Sequence, residues 1–540
     1  MGKHKGNLES RIFRAGGFVL IAHILFKLAG LIQAKVMGHY LPQTTFDVVY
    51  AFAFENCIFM LFLIGEEVLG PAFLPVFMRE LDIESEKSAW SFANTVLTLQ
   101  FILLVIVACA LCLAPSLAVN VLTHWRPDST PEKYALATQS VRTLAPALIG
   151  LSLGSTTYVL LNSYKRFFLA AFGDAVWKFA VVFFLVIGAM FAYDSAQVLM
   201  WGLVAGSLCK VGTHLFGLRD KLHHFRPELA FSHPAFKRFC WLALPLLAGI
   251  LMAKVRDTVN SVYLLSALDQ SGLMQANSMG RKLQSTLLFL IPYTLSIAAF
   301  PFFCELVDRN DHQKLGELVT RFGRMLLSVF APFSLFVAVA AVPFTSLIFR
   351  GGHFDAVAVQ RTAVSLACYT LVLPAAAIEA LVMQAFFANR RMLAVTLIGI
   401  LFSSFSILVS WVGLKVSGGH DLLLLAFIAG GFTLSRTFKS VALVEMLKKN
   451  APVFPFRQTV AFLLRVGLAA GLASGLSWLL LERVPMIADL HGRTGDLIKL
   501  SVAGAAFGLV YLIAAYALRI SEIHELFTLL WKGRRRPSPS

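Results

Sequence analysis

Long, uninterrupted apolar runs separated by short loops recur from about residue 15 to residue 518, and they constrain this chain more than any other feature. A chain of 540 residues has length enough for several soluble domains. Its residues are 58% hydrophobic and only 14% charged, so most of its surface must face lipid. Inside a bilayer every backbone polar group has to be satisfied within the protein, which leaves helices or a closed barrel. Barrel strands alternate apolar and polar positions, and these runs are continuous. The expected fold class is therefore all-α, a polytopic membrane protein with about 14 transmembrane helices.

Runs of helix length fall at 15–38, 45–78, 89–117, 134–163, 167–192 and 196–217. Six more fall at 239–266, 273–304, 320–348, 358–387, 392–414 and 420–446, and two at 459–481 and 496–518. Fourteen spans put both termini on one side. That side carries 27 Lys and Arg residues in or beside its loops and the other carries 8, so the termini are expected in the cytoplasm. The same placement explains the net charge of +17 as topology and excludes nucleic acid as a partner. The seven cysteines all lie in or beside apolar runs, so no disulfide framework is expected. The polar N-terminus has no small-residue cleavage site after it, so the first run reads as a retained helix.

Two stretches share an ordered vocabulary. Leu61-Phe-Leu-Ile-Gly-Glu-Glu begins one that runs to Leu81, and Leu288-Phe-Leu-Ile begins another that runs to Leu306. Both continue with Ala-Phe, then Pro, and both end in Glu-Leu. Such agreement points to internal duplication. It gives an N-terminal lobe at 1–218, a basic connector at 219–238 and a C-terminal lobe at 239–450. The lobes hold six helices each, related by a parallel repeat about the membrane normal. Two extra C-terminal helices and a basic tail follow at 451–540. Gly65, Gly70, Pro71 and Pro75 surround the adjacent Glu66 and Glu67, so the second helix is expected to bend or open there.

A charge at bilayer depth costs roughly 2.5–3.5 kcal/mol on insertion scales, so it should face a bundle interior or a wet cavity. Equivalent helices of the two lobes hold the densest mix: Lys27 and Lys35, then Asp47, Glu55, Glu66 and Glu67, then Lys254, Arg256 and Asp257, then Arg281 and Lys282. Lys254 and Asp257, three apart, are expected to pair and leave Arg256 directed elsewhere. Further cases are Arg142, Asp174, Lys178, Lys210, Glu379, Arg436, Lys439 and Arg465. Lys27, Asp47, Glu66, Arg256, Arg281 and Lys282 are the candidate substrate-binding residues. Cations facing carboxylates suit an anionic substrate such as a phosphate or diphosphate headgroup. No Gly-rich phosphate loop, HExxH or GxSxG occurs, so neither catalysis nor a cofactor nor a metal is expected.

These residues resemble a known family. Gly65-Glu66-Glu67-Val-Leu-Gly-Pro-Ala72-Phe73-Leu-Pro75 resembles the Ala-Glu-Gly-Ala-Phe-Ser-x-Ala-Phe-Val-Pro signature of MurJ (MviN) flippases. Leu161-Asn162-Ser-Tyr-Lys-Arg166-Phe167 is similar to that family's Leu-Asn-x-x-x-Arg-Phe, and Arg350-Gly-Gly-His-Phe354 to its Gly-x-Phe loop. Arg281 falls where the family carries an arginine. The resemblance implies a multidrug/oligosaccharidyl-lipid/polysaccharide transporter fold with a central cationic cavity, and a groove at helices 13 and 14 for a polyprenyl tail. It implies flipping of lipid II, the undecaprenyl-diphosphate-linked peptidoglycan precursor, across the bacterial inner membrane. Membrane lipid and cell-wall synthesis proteins are the implied partners. The sequence departs from the family at Gln33, which stands where a helix-1 arginine is expected, and no Lys or Arg lies between Asp47 and Arg79. A flippase for another polyprenyl-linked glycan, an exporter of small organic cations and a non-transporting envelope-assembly scaffold are the competing readings.

Overall fold

The computed structural model of the chain describes residues 27–289, 302–388, 392–523 and 525. Among the described residues the only strand-like pairing is one bridge between Gly351 and Phe354; the regular structure is otherwise helical. Helix α1 covers residues 27–40. It is followed by α2 (Gln43–Glu84), α3 (Glu86–Leu113), α4 (Pro131–Ser163), α5 (Phe167–Met190) and α6 (Ser195–Gly217). Helices α7 (Pro234–Thr258), α8 (Leu273–Phe289) and α9 (His312–Val339) come next. Then come α10 (Ala356–Ala388), α11 (Met392–Val416), α12 (Asp421–Lys448), α13 (Phe456–Arg483) and α14 (Gly492–Ala517).

Eleven helices among the described residues are long and apolar enough to cross a membrane, namely α2 to α6 and α9 to α14. The segment Pro234–Ala267, bent by 42° after Leu244, makes a twelfth if it is one span. The expected helices at 15–38 and 273–304 lie partly outside the described residues, as does most of the second repeated word at 288–306. Several helix starts are fixed by side chains. Ser85, Asp194, His233, Asp311 and Asp355 each accept a backbone N–H of the following turn.

The chain divides into two compact units. The first is Met1–Gln275 with Gly351–Phe354, and the second is Ala276–Arg350 with Asp355–Ser540. Compactness places this boundary after α7, whereas the repeated words place theirs at 219–238; the two criteria measure different things.

In the first unit Phe73 stacks on Phe77 and Phe92, with ring centroids 5.6 and 5.0 Å apart, and binds α2 to α3. The loop residue Gly352 has φ +59, and a Cβ there would stand 2.1 Å from the carbonyl oxygen of His39. Only glycine tolerates both conditions. The next residue, His353, donates its N–H to that same carbonyl at 3.1 Å, satisfying an orphan acceptor at the end of α1. In the second unit Phe330, Leu381, Phe386 and Leu443 centre one core. Ala469, Ala470 and Ala473 let α13 approach Phe507 and Tyr511 of α14 in another.

Helix α2 carries the two prolines without a break in the helix. It runs unbroken from Gln43 to Glu84 with Pro71 and Pro75 inside it, and space around Gly65 and Gly70 is open. Its hydrogen bonding departs from α geometry elsewhere, widening to π turns over Phe46–Ile58 and Glu80–Glu84. Packing against neighbouring helices keeps a proline-bearing helix continuous in a membrane protein. The widened stretch holds the ring series Phe46, Tyr50 and Phe54, whose successive centroids lie 5.0 and 5.6 Å apart.

Candidate functional site

Each unit holds a set of charged side chains deep in its helices. In the first, Lys210 of α6 is 1% exposed. Its stem crosses Gly154 of α4, where a Cβ would stand 2.9 Å from Lys210 Cε, so the glycine makes the room. Its Nζ meets Asp174 Oδ1 of α5 at 2.6 Å and lies 4.9 Å from the Phe62 ring of α2. Glu67, also on α2, takes the ammonium of Lys254 from α7 at 2.5 Å. Glu66 sits within the field of both pairs, with Lys210, Asp174, Glu67 and Lys254 as its charged neighbours. Lys178 of α5 reaches α1, its Nζ 3.3 Å from where a Cβ on Gly30 would stand. Two lysines, Lys210 and Lys254, thus each meet one carboxylate, and Glu66 lies beside both pairs.

The sequence-nominated residues divide among several roles. Glu66 belongs to this cluster. Lys27, half-buried, opens the described part of α1. Asp47 is 4% exposed and accepts the backbone N–H groups of Gly272 at 2.6 Å and Gln275 at 2.8 Å. It therefore holds the first turn of α8. Arg256 bonds Asp257 through Nη2 at 2.6 Å and Nε at 3.0 Å. The expected pairing of Lys254 with Asp257 is thus replaced. Glu67 approaches Lys254 from α2, and the long guanidinium of Arg256 folds back onto its sequence neighbour.

Arg281 and Lys282 lie on α8 in the second unit. The Arg281 guanidinium stands 5.8 Å from the ring centroid of Phe432 on α12. Arg436, one turn further along α12, stands 6.0 Å from the same ring. Arg436 Nε and Lys439 Nζ meet the two oxygens of Glu379, on α10, at 2.7 and 2.8 Å. Glu379 is 4% exposed. Tyr369 of α10 packs edge-on to Phe432 and donates its hydroxyl to Asn277 Oδ1 of α8 at 2.8 Å. Glu379, Arg436 and Lys439 are legible in the sequence as charges in apolar runs and lie outside the six candidate substrate-binding residues. The signal was their geometry on paper: 432, 436 and 439 fall on one helical face, and that half of the chain offers few deep carboxylates to face it.

The second unit also carries an apolar groove of about 400 Å³ between α9 and α14, lined among others by Pro332, Phe333, Phe336, Phe507 and Tyr511. Tyr511 hands its hydroxyl to the Ser328 carbonyl at 2.5 Å, so the groove floor keeps no free polar group there.

Several known proteins resemble this chain. A protein named probable lipid II flippase MurJ from Bdellovibrio bacteriovorus is 22% identical over 523 residues, covering 96% of this chain and 97% of that one. One of the same name from Borreliella burgdorferi is 22% identical over 414 residues, covering 75% and 78%. A lipid II flippase MurJ from Burkholderia cenocepacia is 23% identical over 392 residues, covering 71% and 74%. Among solved structures, a lipid II flippase MurJ in an inward closed conformation superposes with a TM-score of 0.72 at 17% identity, covering 94% of this chain and 99% of its own. An inward-facing multidrug resistance MATE family transporter gives 0.62 at 11% identity, covering 78% and 94%. Residues 34–490 match the sequence model of the family described as lipid II flippase MurJ, and the chain belongs to that family.

Proposed function

We propose that this protein carries lipid II from the inner to the outer leaflet of the bacterial inner membrane. The family match over residues 34–490 carries the reading, because it runs through both compact units. The geometry is in keeping with it. A polyprenyl chain needs an apolar, lipid-accessible groove, and the one between α9 and α14 fits that chemistry. A diphosphate needs several cations at depth, and Lys27, Arg256, Arg281 and Lys282, together with Glu66, are the residues assigned to headgroup recognition. Asp47 acts one step removed, by holding the first turn of the helix that bears Arg281 and Lys282.

The lobes at 1–218 and 239–450 act as duplicated halves, with 451–540 added for the lipid tail. Both termini lie in the cytoplasm, and cell-wall synthesis proteins are the natural partners. The protein moves its substrate without covalent chemistry. A second reading, transport of another polyprenyl-linked glycan, is favoured by one observation: no cation occurs between Asp47 and Arg79. Complementation separates the two. A strain depleted of its own lipid II flippase should grow when wild type is expressed, and lipid II should become accessible on the outer leaflet. No rescue, with normal protein in the membrane, would sink the lipid II reading.

A further inference from the structure

The deep ion pairs of the first unit, Lys210 with Asp174 and Lys254 with Glu67, are one to one, and the Glu379 cluster of the second unit is not. Glu379 spends both carboxylate oxygens, one on Arg436 and one on Lys439, so a single negative charge faces two positive ones. A purely structural pair needs one cation. Arg436 lies 15 residues into α12 and 12 from its end, about 18 Å from the nearer end at 1.5 Å per residue. No snorkelling side chain covers that distance. A surplus cation at such depth calls for an anion.

The two cations also face the right way. Leu434, Phe438 and Val441, exposed by 48%, 46% and 53%, mark the lipid-facing side of α12. At 100° per residue, 432, 436 and 439 cluster on the opposite side. The side chains of Arg436 and Lys439 remain 32% and 22% exposed there. Among the described residues neither Nη group of Arg436 has a hydrogen-bond partner, and Lys439 Nζ uses one of its three protons. The Nε bond to Glu379 and the Phe432 ring fix the guanidinium, which leaves its Nη fork presented in one orientation. A fixed fork beside a point charge matches the oxygens of a phosphate.

We infer that Arg436 and Lys439, held by Glu379 and Phe432, form a phosphoanion subsite in the second unit. On the proposed function, on which its physiological ligand rests, it takes one phosphate of a polyprenyl diphosphate and supplies charge that Gln33 and the cation-free stretch 48–78 do not. Glu379 is then a positioning residue that competes with the ligand.

The test uses the full chain in nanodiscs and three probes: undecaprenyl diphosphate, undecaprenol and inorganic pyrophosphate. Wild type should bind undecaprenyl diphosphate more tightly than undecaprenol. Arg436→Gln and Lys439→Gln should each weaken diphosphate binding by about tenfold or more, leaving undecaprenol binding unchanged. Arg436→Lys, which keeps the charge and can still pair with Glu379, should fall between. Glu379→Gln should hold or tighten diphosphate binding, whereas a merely structural triad would lose binding of all probes together. These two conservative variants decide the matter if Arg436→Gln does not fold. Equal diphosphate affinity in wild type and both cation variants overturns the subsite, as does a wild type that binds neither diphosphate. Arg436-dependent binding of pyrophosphate together with failed complementation would uphold the subsite for a soluble phosphoanion and reject lipid II as cargo. Complementation with unchanged affinities would reject the subsite and keep the cargo.

Discussion

Removing Lys210 strands Asp174 as an uncompensated charge among α4, α5 and α6. Breaking a buried pair from one side costs about 3–5 kcal/mol, while replacing both partners is often close to neutral. Lys210→Met should therefore lower the thermal midpoint in detergent sharply, and Asp174→Asn combined with it should recover most of the loss. A double variant as unstable as the single one would show that Lys210 matters through packing against Gly154 instead. For transport, Lys27→Ala and Arg281→Ala should abolish complementation at normal protein levels, and Lys27→Arg should retain it. Full activity of both alanine variants would place the cargo site elsewhere. Sequence reading found almost every buried charge named here but mispaired Lys254, because spacing along one helix says nothing about what a neighbouring helix brings. Glu67 and Glu66 are adjacent in sequence, yet Glu67 meets Lys254 while Glu66 sits between two pairs. Gln33 is 1% exposed with its Nε2 unpartnered, a burial that its place in an apolar run left open.

Helices are held here as much by their ends as by their faces. Gly352→Ala would place a methyl 2.1 Å from the His39 carbonyl and force a left-handed backbone on alanine. The backbone conformation alone costs about 1 kcal/mol, and the clash adds to it. The measurable result is a thermal midpoint lower than that of wild type. The α4–α5 turn is tied to the end of α6 by a two-armed bridge from Arg166 to Asp220, at 2.6 and 2.7 Å. Arg166 holds the Asp220 carboxyl down at about 2, against an ordinary 3.8. A depressed carboxyl stabilises the fold above its unfolded value and loses that contribution as pH falls through its folded one. The difference in thermal midpoint between wild type and Asp220→Asn should thus be flat from pH 8 to about 5 and shrink between about 4 and 2. A difference that already vanishes between pH 7 and 5 would mean another group governs the bridge. Most described element boundaries were legible within a few residues, but the helix expected at 320–348 is His312–Val339 and the one expected at 239–266 is Pro234–Thr258. The π-widening of α2 over Phe46–Ile58 was not legible, because it depends on packing that no local word records.

At the scale of the whole chain, the asymmetry of 27 against 8 basic residues predicts which loops meet which solution. Single cysteines placed near Ser129 and Gly418 in a cysteine-free background should label from outside intact cells, and ones near Ser85 and Asp311 should not. Labelling of Ser85 from outside would break the pairing of the halves. All-helical membrane architecture was legible because it rests on the hydropathy of long segments, which survives any error about single residues. The compact units were less so, since contact crosses the repeat boundary. One such crossing bears on how the protein is made. Gly351–Phe354 belongs to the first unit, yet it is translated roughly eighty residues after Gln275. At about 5–20 residues per second that interval is some 4–16 seconds. Throughout it the His39 carbonyl at the end of α1 waits for the His353 N–H that will satisfy it. The unit begun first is therefore completed only after the first 75 residues of the other, 276–350, have been translated, and order of synthesis is not order of closure.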